Sequence, residues 1–179
     1  MDEVWARGGP PWAGVEVEVA RALSLVQLVQ VDRLRATLEN PRGRCFFTGQ
    51  GRSGLVAQMA AMRLMHLGRR AHVVGEATAP AFSEDDVLVV VSGTGATPTS
   101  LLHAQQAHDL GGTVCCLTAR PGSPIALLSE PCVIVPTGNS MQFGQVLFTQ
   151  AALLLLDAVA LELAAGDMAT QRHSHANLQ

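Results

Sequence analysis

Two short segments carry the residues best suited to chemistry: Thr48-Gly-Gln-Gly-Arg-Ser53 and Ser92-Gly-Thr-Gly-Ala-Thr97. Each sets glycines, which let the backbone approach a ligand closely, beside serine or threonine hydroxyls, and each precedes a stretch of helical character. At a helix N-terminus the unpaired N–H groups and the positive end of the helix dipole attract an anion. Two turns rich in hydroxyls and poor in charge point to a phosphate monoester held mainly by neutral donors. Neither turn continues into Gly-Lys-Ser/Thr, and Gly49-Gln-Gly51 lacks the third glycine of a dinucleotide fingerprint, so neither a nucleoside triphosphate nor a nicotinamide cofactor is expected.

The elements that must position these turns follow from apolar runs. Arg44 to Thr48 and Asp86 to Val91 read as strands ending at the two glycine turns, with further short strands at His72–Val74, Thr113–Thr118 and Cys132–Val135. Helical stretches follow at Leu55–Leu67 and up to about Leu110, and a last long helix runs from Gln145 to Ala165. Continuously apolar strands alternating with helices predict an α/β fold: a three-layer α-β-α sandwich around a mostly parallel sheet of about five strands. In such sheets ligands bind outside the carboxyl ends of the strands, where both turns lie. One helix is expected from Val15 to Glu39 on the stripe Val19, Leu23, Val26, Val29 and Leu34, after a flexible arm over residues 1–14. Residues 15–179 read as a single domain that includes a polar tail.

Composition narrows the partners. The chain of 179 residues is 48% hydrophobic and 15% charged, which predicts apolar surface covered by copies of itself. It has no lysine, its arginines are scattered and its formal charge is -3, so no nucleic-acid surface is expected. The apolar run Ala151–Leu156 is broken by Asp157 and Glu162, short of the ~20 residues of a membrane span. The opening residues show no signal-peptide pattern, and a cytoplasmic protein is expected. Cys45, Cys115, Cys116 and Cys132 have no metal-ligand spacing and read as reduced core residues, with no metal site implied. Met59, Met62 and Met65 repeat at helical spacing and read as packing, within the chain or between subunits.

Taken in order, Thr48-Gly-Gln-Gly-Arg-Ser-Gly54 with Ala61-Met-Arg-Leu-Met-His-Leu-Gly68, then Val74-Gly-Glu-Ala-Thr-Ala-Pro80, Val91-Ser-Gly-Thr-Gly95 and His175-Ala-Asn-Leu178 resemble the motifs of the 6-phospho-3-hexuloisomerases, a family built on the sugar isomerase (SIS) domain. The resemblance covers nearly everything after the N-terminal arm. It implies interconversion of 3-hexulose 6-phosphate and fructose 6-phosphate without a cofactor, in a homotetramer with sites near subunit interfaces. By the same likeness Gly51, Ser53, Ser92, Gly93, Thr94 and Thr97 would hold the phosphate, with Arg52 and Glu76 near the sugar. His175 would reach the site from the tail, out of a neighbouring subunit.

Moving a carbonyl between adjacent carbons needs a base to take a carbon-bound proton and an acid to redistribute protons between oxygens. In the family that resemblance names, a glutamate near the start of the last helix is the favoured base, whereas this chain reads Gln142-Phe-Gly-Gln-Val-Leu-Phe-Thr-Gln150 and has Thr149 there. Ala96 likewise stands where the family usually has an acid. Glu76 and His175 are therefore the expected proton-transfer groups, ahead of His66 and His173, while His103 and His108 are expected on an exposed helix face. The alternative is a module that binds or senses sugar phosphates without turnover. Isomerisation of a heptose or arabinose phosphate is the weaker third reading.

Overall fold

The computed structural model describes residue 10, residues 12–39 and residues 42–164. Five parallel strands form one sheet in the order β2-β1-β3-β4-β5: β1 (Cys45–Gly49), β2 (Ala71–Val73), β3 (Val87–Val91), β4 (Thr113–Thr118) and β5 (Cys132–Ile134). The central strand β3, Val-Leu-Val-Val-Val, is buried throughout, as a parallel strand covered on both faces must be. Side chains alternate along each strand. Cys45, Phe47, Val89, Val91 and Leu117 face one apolar cluster, and Phe46, Leu88, Val90, Val114 and Cys116 face the other.

The first cluster is closed by α3 (Arg52–His66) and α6 (Val146–Leu163), with α1 (Ala13–Ser24) and α2 (Leu28–Glu39) packed around α6. The second is closed by α4 (Pro98–Asp109), α5 (Pro124–Leu127) and part of the loop after β2. The expected three-layer sandwich is what forms. α6 as a whole, with mean hydropathy 1.9, is long and apolar enough by length and composition to cross a membrane, although the apolar run inside it read as too short. Packing accounts for its composition here: Phe148, Ala151, Ala152, Leu156, Val159 and Ala160 are buried.

The single helix expected from Val15 to Glu39 is two. The chain breaks after Ser24, whose hydroxyl donates back to the Arg21 carbonyl (2.8 Å). The cause lies in the apolar phase. Ala22 and Val26 belong to one stripe and Val31, Leu34 and Leu38 to another, and the five-residue step between them does not fit one straight helix, so Val29 points outward, 58% exposed. α1 starts at Ala13, within the arm expected over residues 1–14.

Just before β3, Asp86 is almost fully buried and accepts hydrogen bonds from Arg44 Nη2 (2.7 Å), Arg44 Nε (3.1 Å) and Arg44 N (2.7 Å), and from Ser83 N (2.7 Å) and Ser83 Oγ (2.9 Å). Burial works against its ionisation, but these donors outweigh it and hold its pKa at about 2. Because the folded-state value lies below the ordinary aspartate value of 3.8, the stabilisation is complete above pH ~4 and is lost as pH falls through ~2. Asp86→Ala strands the Arg44 guanidinium and is expected to cost about 3–5 kcal/mol in urea unfolding at pH 7. A loss under about 1 kcal/mol would show that the pair does not anchor the sheet.

Candidate functional site

The path of the chain creates the site. From β1 it runs through α3 on one face to β2; from β3 it runs through α4 on the other face to β4. The strand order therefore reverses between β1 and β3, which lie side by side with Gly49 level with Val91. A crevice opens at such a switch point, and here the N-termini of α3 and α4 approach it from opposite faces. The two glycine turns meet there.

Around the second turn, the Ser92 N–H still donates to Leu117 (3.0 Å), continuing the sheet, and the Gly95 N–H closes the turn on the Ser92 carbonyl (3.0 Å). Ser92 Oγ lies 3.2 Å from Thr97 Oγ1, and Thr94 Oγ1 lies 3.3 Å from it. Three of the expected phosphate ligands thus form one hydroxyl cluster. Thr97 is the N-cap of α4 in extended conformation, yet its side chain makes no capping hydrogen bond, and Pro98 at the first helical position needs none. Gly95 has φ +61°, and a methyl there would collide with Ser123, so both conformation and space require glycine.

The first turn supplies the other wall. Gly51 caps α3 with φ +56° and has no side chain to bond the helix end; the Gly54 N–H donates to the Gly51 carbonyl (3.0 Å), and the Arg52 and Ser53 N–H groups have no intrahelical acceptor. A Cβ on Gly49 would stand 2.6 Å from the Ser53 carbonyl oxygen, so glycine is what lets the turn close on the helix. Ser53 is 9% exposed in the first turn of α3, and Arg52 beside it is exposed. Two helix N-termini without side-chain caps, one carrying Ser53 and the other the Ser92–Thr94–Thr97 hydroxyl cluster, offer what a phosphate dianion needs: dipole ends, N–H donors and hydroxyls.

The entry to α6 closes over this crevice. Glu18 on α1 clamps it, accepting hydrogen bonds from Met141 N (2.7 Å), Ser140 Oγ (2.7 Å) and Gln142 Nε2 (3.0 Å). Burial opposes the Glu18 charge, but these bonds prevail and keep its carboxyl below the ordinary range. A Cβ on Gly144 would lie 3.9 Å from an Arg52 guanidinium nitrogen, and Gly93 is packed directly against the Gln145 side chain. Gln145 is a residue that sequence reasoning missed; its one signal was its place four residues before Thr149.

Thr149 is 7% exposed, and its hydroxyl donates to the Val146 carbonyl (2.9 Å) and lies 3.2 Å from that of Gln145. It is engaged by the carbonyls of its own helix, and a threonine hydroxyl has no useful basicity near neutral pH. Thr149→Val is therefore expected to leave kcat within about twofold of the wild type in a steady-state assay, whereas a loss of tenfold or more would put the hydroxyl in the chemistry.

Glu76 stands apart from the hydroxyl cluster. It is exposed in the turn after β2 and lines a cavity of about 570 Å³ with Phe46, Val74, Phe82, Leu88 and His103; none of the phosphate-ligand candidates lines it. His103, expected on an exposed face, is instead half-buried, with Nδ1 2.9 Å from Thr48 Oγ1, and burial lowers its pKa. His66 is half-buried at the end of α3, and His108 is exposed at 3.7 Å from Asp109. His173 and His175 lie outside the described residues.

Among the described residues, no group of three or more His, Cys, Asp or Glu is placed to hold a metal. The four cysteines are free; burial pushes the Cys45 thiol up to about 11, and Cys132 is half-buried rather than in the core. Met59, Met62 and Met65 lie on the outer face of α3, 41–47% exposed, so packing within the chain does not account for them.

Comparison with known proteins agrees with the geometry. The SIS domain family model matches residues 37–162. The 3-hexulose-6-phosphate isomerase of Mycobacterium gastri is 40% identical over 81% of this chain and 76% of its own length. That of Bacillus subtilis is 38% identical over 75% of this chain and 79% of its own. The crystal structure of a Methanococcus jannaschii protein with an inferred 3-hexulose-6-phosphate isomerase function superposes with TM-score 0.84 at 26% identity, covering 93% of this chain and 97% of that one. This chain belongs to the SIS-domain family, among the 6-phospho-3-hexuloisomerases.

Proposed function

We propose that this protein interconverts 3-hexulose 6-phosphate and fructose 6-phosphate through an enediol, with no cofactor. The observation that carries the reading is the pairing of two uncapped helix N-termini and four hydroxyls at one switch point, in a chain 40% identical to a 3-hexulose-6-phosphate isomerase. The phosphate docks on Gly51, Ser53, Ser92, Gly93, Thr94 and Thr97. Arg52 lies beside the sugar, Glu76 takes the carbon-bound proton, and His175 supplies the acid from the tail.

The functional unit is one SIS domain over residues 15–179 acting as a homotetramer. Leu55, Met59, Met62 and Met65 on the outer face of α3 are the kind of apolar surface that a second copy covers. A cytoplasmic location fits a phosphorylated substrate, whose charge confines it to the compartment that makes it.

The deciding assay follows conversion of 3-hexulose 6-phosphate to fructose 6-phosphate by purified protein, coupled to a reductive readout. A Ser53→Ala, Ser92→Ala double variant prepared identically exposes any contaminating host isomerase. Turnover in the wild type and none in the double variant is expected. Saturable binding of fructose 6-phosphate without turnover would instead support a sugar-phosphate-binding module, the reading that Ala96 and Thr149 favour.

A further inference from the structure

Away from the glycine turns, β4 and β5 bring two cysteines together. Cys116 and Cys132 are in-register partners on these neighbouring parallel strands, and both side chains face the apolar cluster closed by α4 and α5. Neighbouring strands run about 4.8 Å apart, within the Cα separation that a disulfide spans. The Cys116 thiol donates to Cys132 Sγ at 2.9 Å, so the sulfurs have less than about 1 Å to close before they reach bonding distance. The two differ in access. Cys116 is fully buried, whereas Cys132 is half-buried on the edge strand and lines a cavity of about 300 Å³ with Arg33, Leu127, Ser129 and Glu130. The bond from Cys116 favours the Cys132 thiolate and lowers its pKa against burial and the nearby Glu130 carboxylate; the same bond, together with burial, pushes the Cys116 thiol up.

We propose that Cys132 and Cys116 are a redox modification site that takes a hydroperoxide, Cys132 as the attacking sulfur and Cys116 as the resolving one, and closes into a reversible disulfide between β4 and β5. The Cys132 thiolate attacks a peroxide oxygen, the O–O bond breaks, and Cys132 becomes a sulfenic acid. The departing alkoxide takes up the proton that Cys132 lost on ionising. Cys116 then attacks Cys132 Sγ, the S–O bond breaks, and the oxygen leaves as water with the Cys116 proton. Two thiols give up two electrons, and one hydroperoxide becomes one alcohol and one water. The remaining cysteines do not compete. Cys115 adjoins Cys116 in the chain but faces the opposite cluster, with Cys45, and both are fully buried.

The test starts from the reduced full chain, freed of thiol reductant, and adds tert-butyl hydroperoxide in slight excess. Peptide mapping after alkylation in denaturant is expected to show one bridge, from Cys116 to Cys132, with Cys45 and Cys115 alkylated as free thiols. Dithiothreitol restores all four thiols. The bridged form is expected to melt ~5–10 °C above the reduced form, because the cross-link restricts the unfolded chain while the two strands keep their register. Cys116→Ser removes the resolving thiol, so oxidation should stop at a Cys132 sulfenic acid that dimedone captures. Cys132→Ser should leave Cys116 reduced under the same treatment.

Four free thiols after peroxide treatment would overturn the proposal. A bridge between two chains, or Cys132 carried on to sulfinic acid with Cys116 still reduced, would do the same, since either shows that Cys116 does not resolve. A bridged form that melts below the reduced one would show that the strands must distort to join. Should Cys116→Ser not fold, the wild-type map and Cys132→Ser, altered at the half-buried position, still decide the matter. Oxidation of Cys116 in Cys132→Ser would take the first attack away from Cys132 and end the assignment.

Discussion

Replacing Ser53 and Ser92 together with alanine is expected to lower kcat/KM for 3-hexulose 6-phosphate by about 10²–10⁴, since each hydroxyl bonded to a charged phosphate contributes about 1.5–3 kcal/mol. The two residues stand on opposite walls of the crevice, one in the first turn of α3 and one at the end of β3. Their losses should therefore be nearly additive apart from what they share through one phosphate. The fold should tolerate the change. The Ser92 hydroxyl has Thr97 as its hydrogen-bond partner, and alanine at position 53 favours the helix. Fructose 6-phosphate titrated into wild type and variant measures the same loss without turnover. Undiminished binding in a folded variant would remove the cradle from the account.

Much of this was readable in the residues, for identifiable reasons. The run Val87–Val91 is apolar at every position, as a short strand buried on both faces is, and the glycine turn Ser92-Gly-Thr-Gly95 directly after it marks where the strand ends. The hydroxyl cluster followed, because Ser92, Thr94 and Thr97 are close in sequence and one tight turn brings them together. What local pattern does not contain is strand order. Nothing in the sequence of β1 or β3 says that they are neighbours, yet that adjacency, with α3 and α4 leaving on opposite faces, turns two ordinary βα turns into one site.

The misreadings have the same origin. His103 was assigned to an exposed face because helical period alone leaves its side undecided; a threonine fifty-five residues away, buried at the end of β1, draws it inward. The break after Ser24 lies in the five-residue step from Val26 to Val31, which a stripe drawn through the exposed Val29 passes over. Gln145 was passed over because attention fell on Thr149, the position that the resemblance singled out, whereas the group touching the glycine turn is one helical turn earlier.

Glu76→Gln is expected to lower kcat by about 10²–10⁴ while leaving the affinity for fructose 6-phosphate nearly unchanged, the signature of losing a general base and little else. The assignment follows from position among the acids. Ala96 and Thr149 contribute no carboxylate, Glu18 is committed to Ser140, Met141 and Gln142, and Asp86 is committed to Arg44 and Ser83. Among the described residues, Glu76 is the acid that directly follows the carboxyl end of a strand, β2, which pairs with β1 on the edge away from β3. Its backbone is fixed by bonds from its own N–H to the Val73 carbonyl (3.3 Å) and from the Ala79 N–H to its carbonyl (3.0 Å), while its side chain is exposed at the cavity it shares with His103. Glutamine preserves shape and hydrogen bonding and removes only the capacity to take a proton. Solvent deuterium incorporated into fructose 6-phosphate at equilibrium reports the same step, so Glu76→Gln should slow exchange and turnover together. Wild-type exchange in that variant would take the base from Glu76 and leave the phosphate cradle standing, because the two occupy different parts of the same rim.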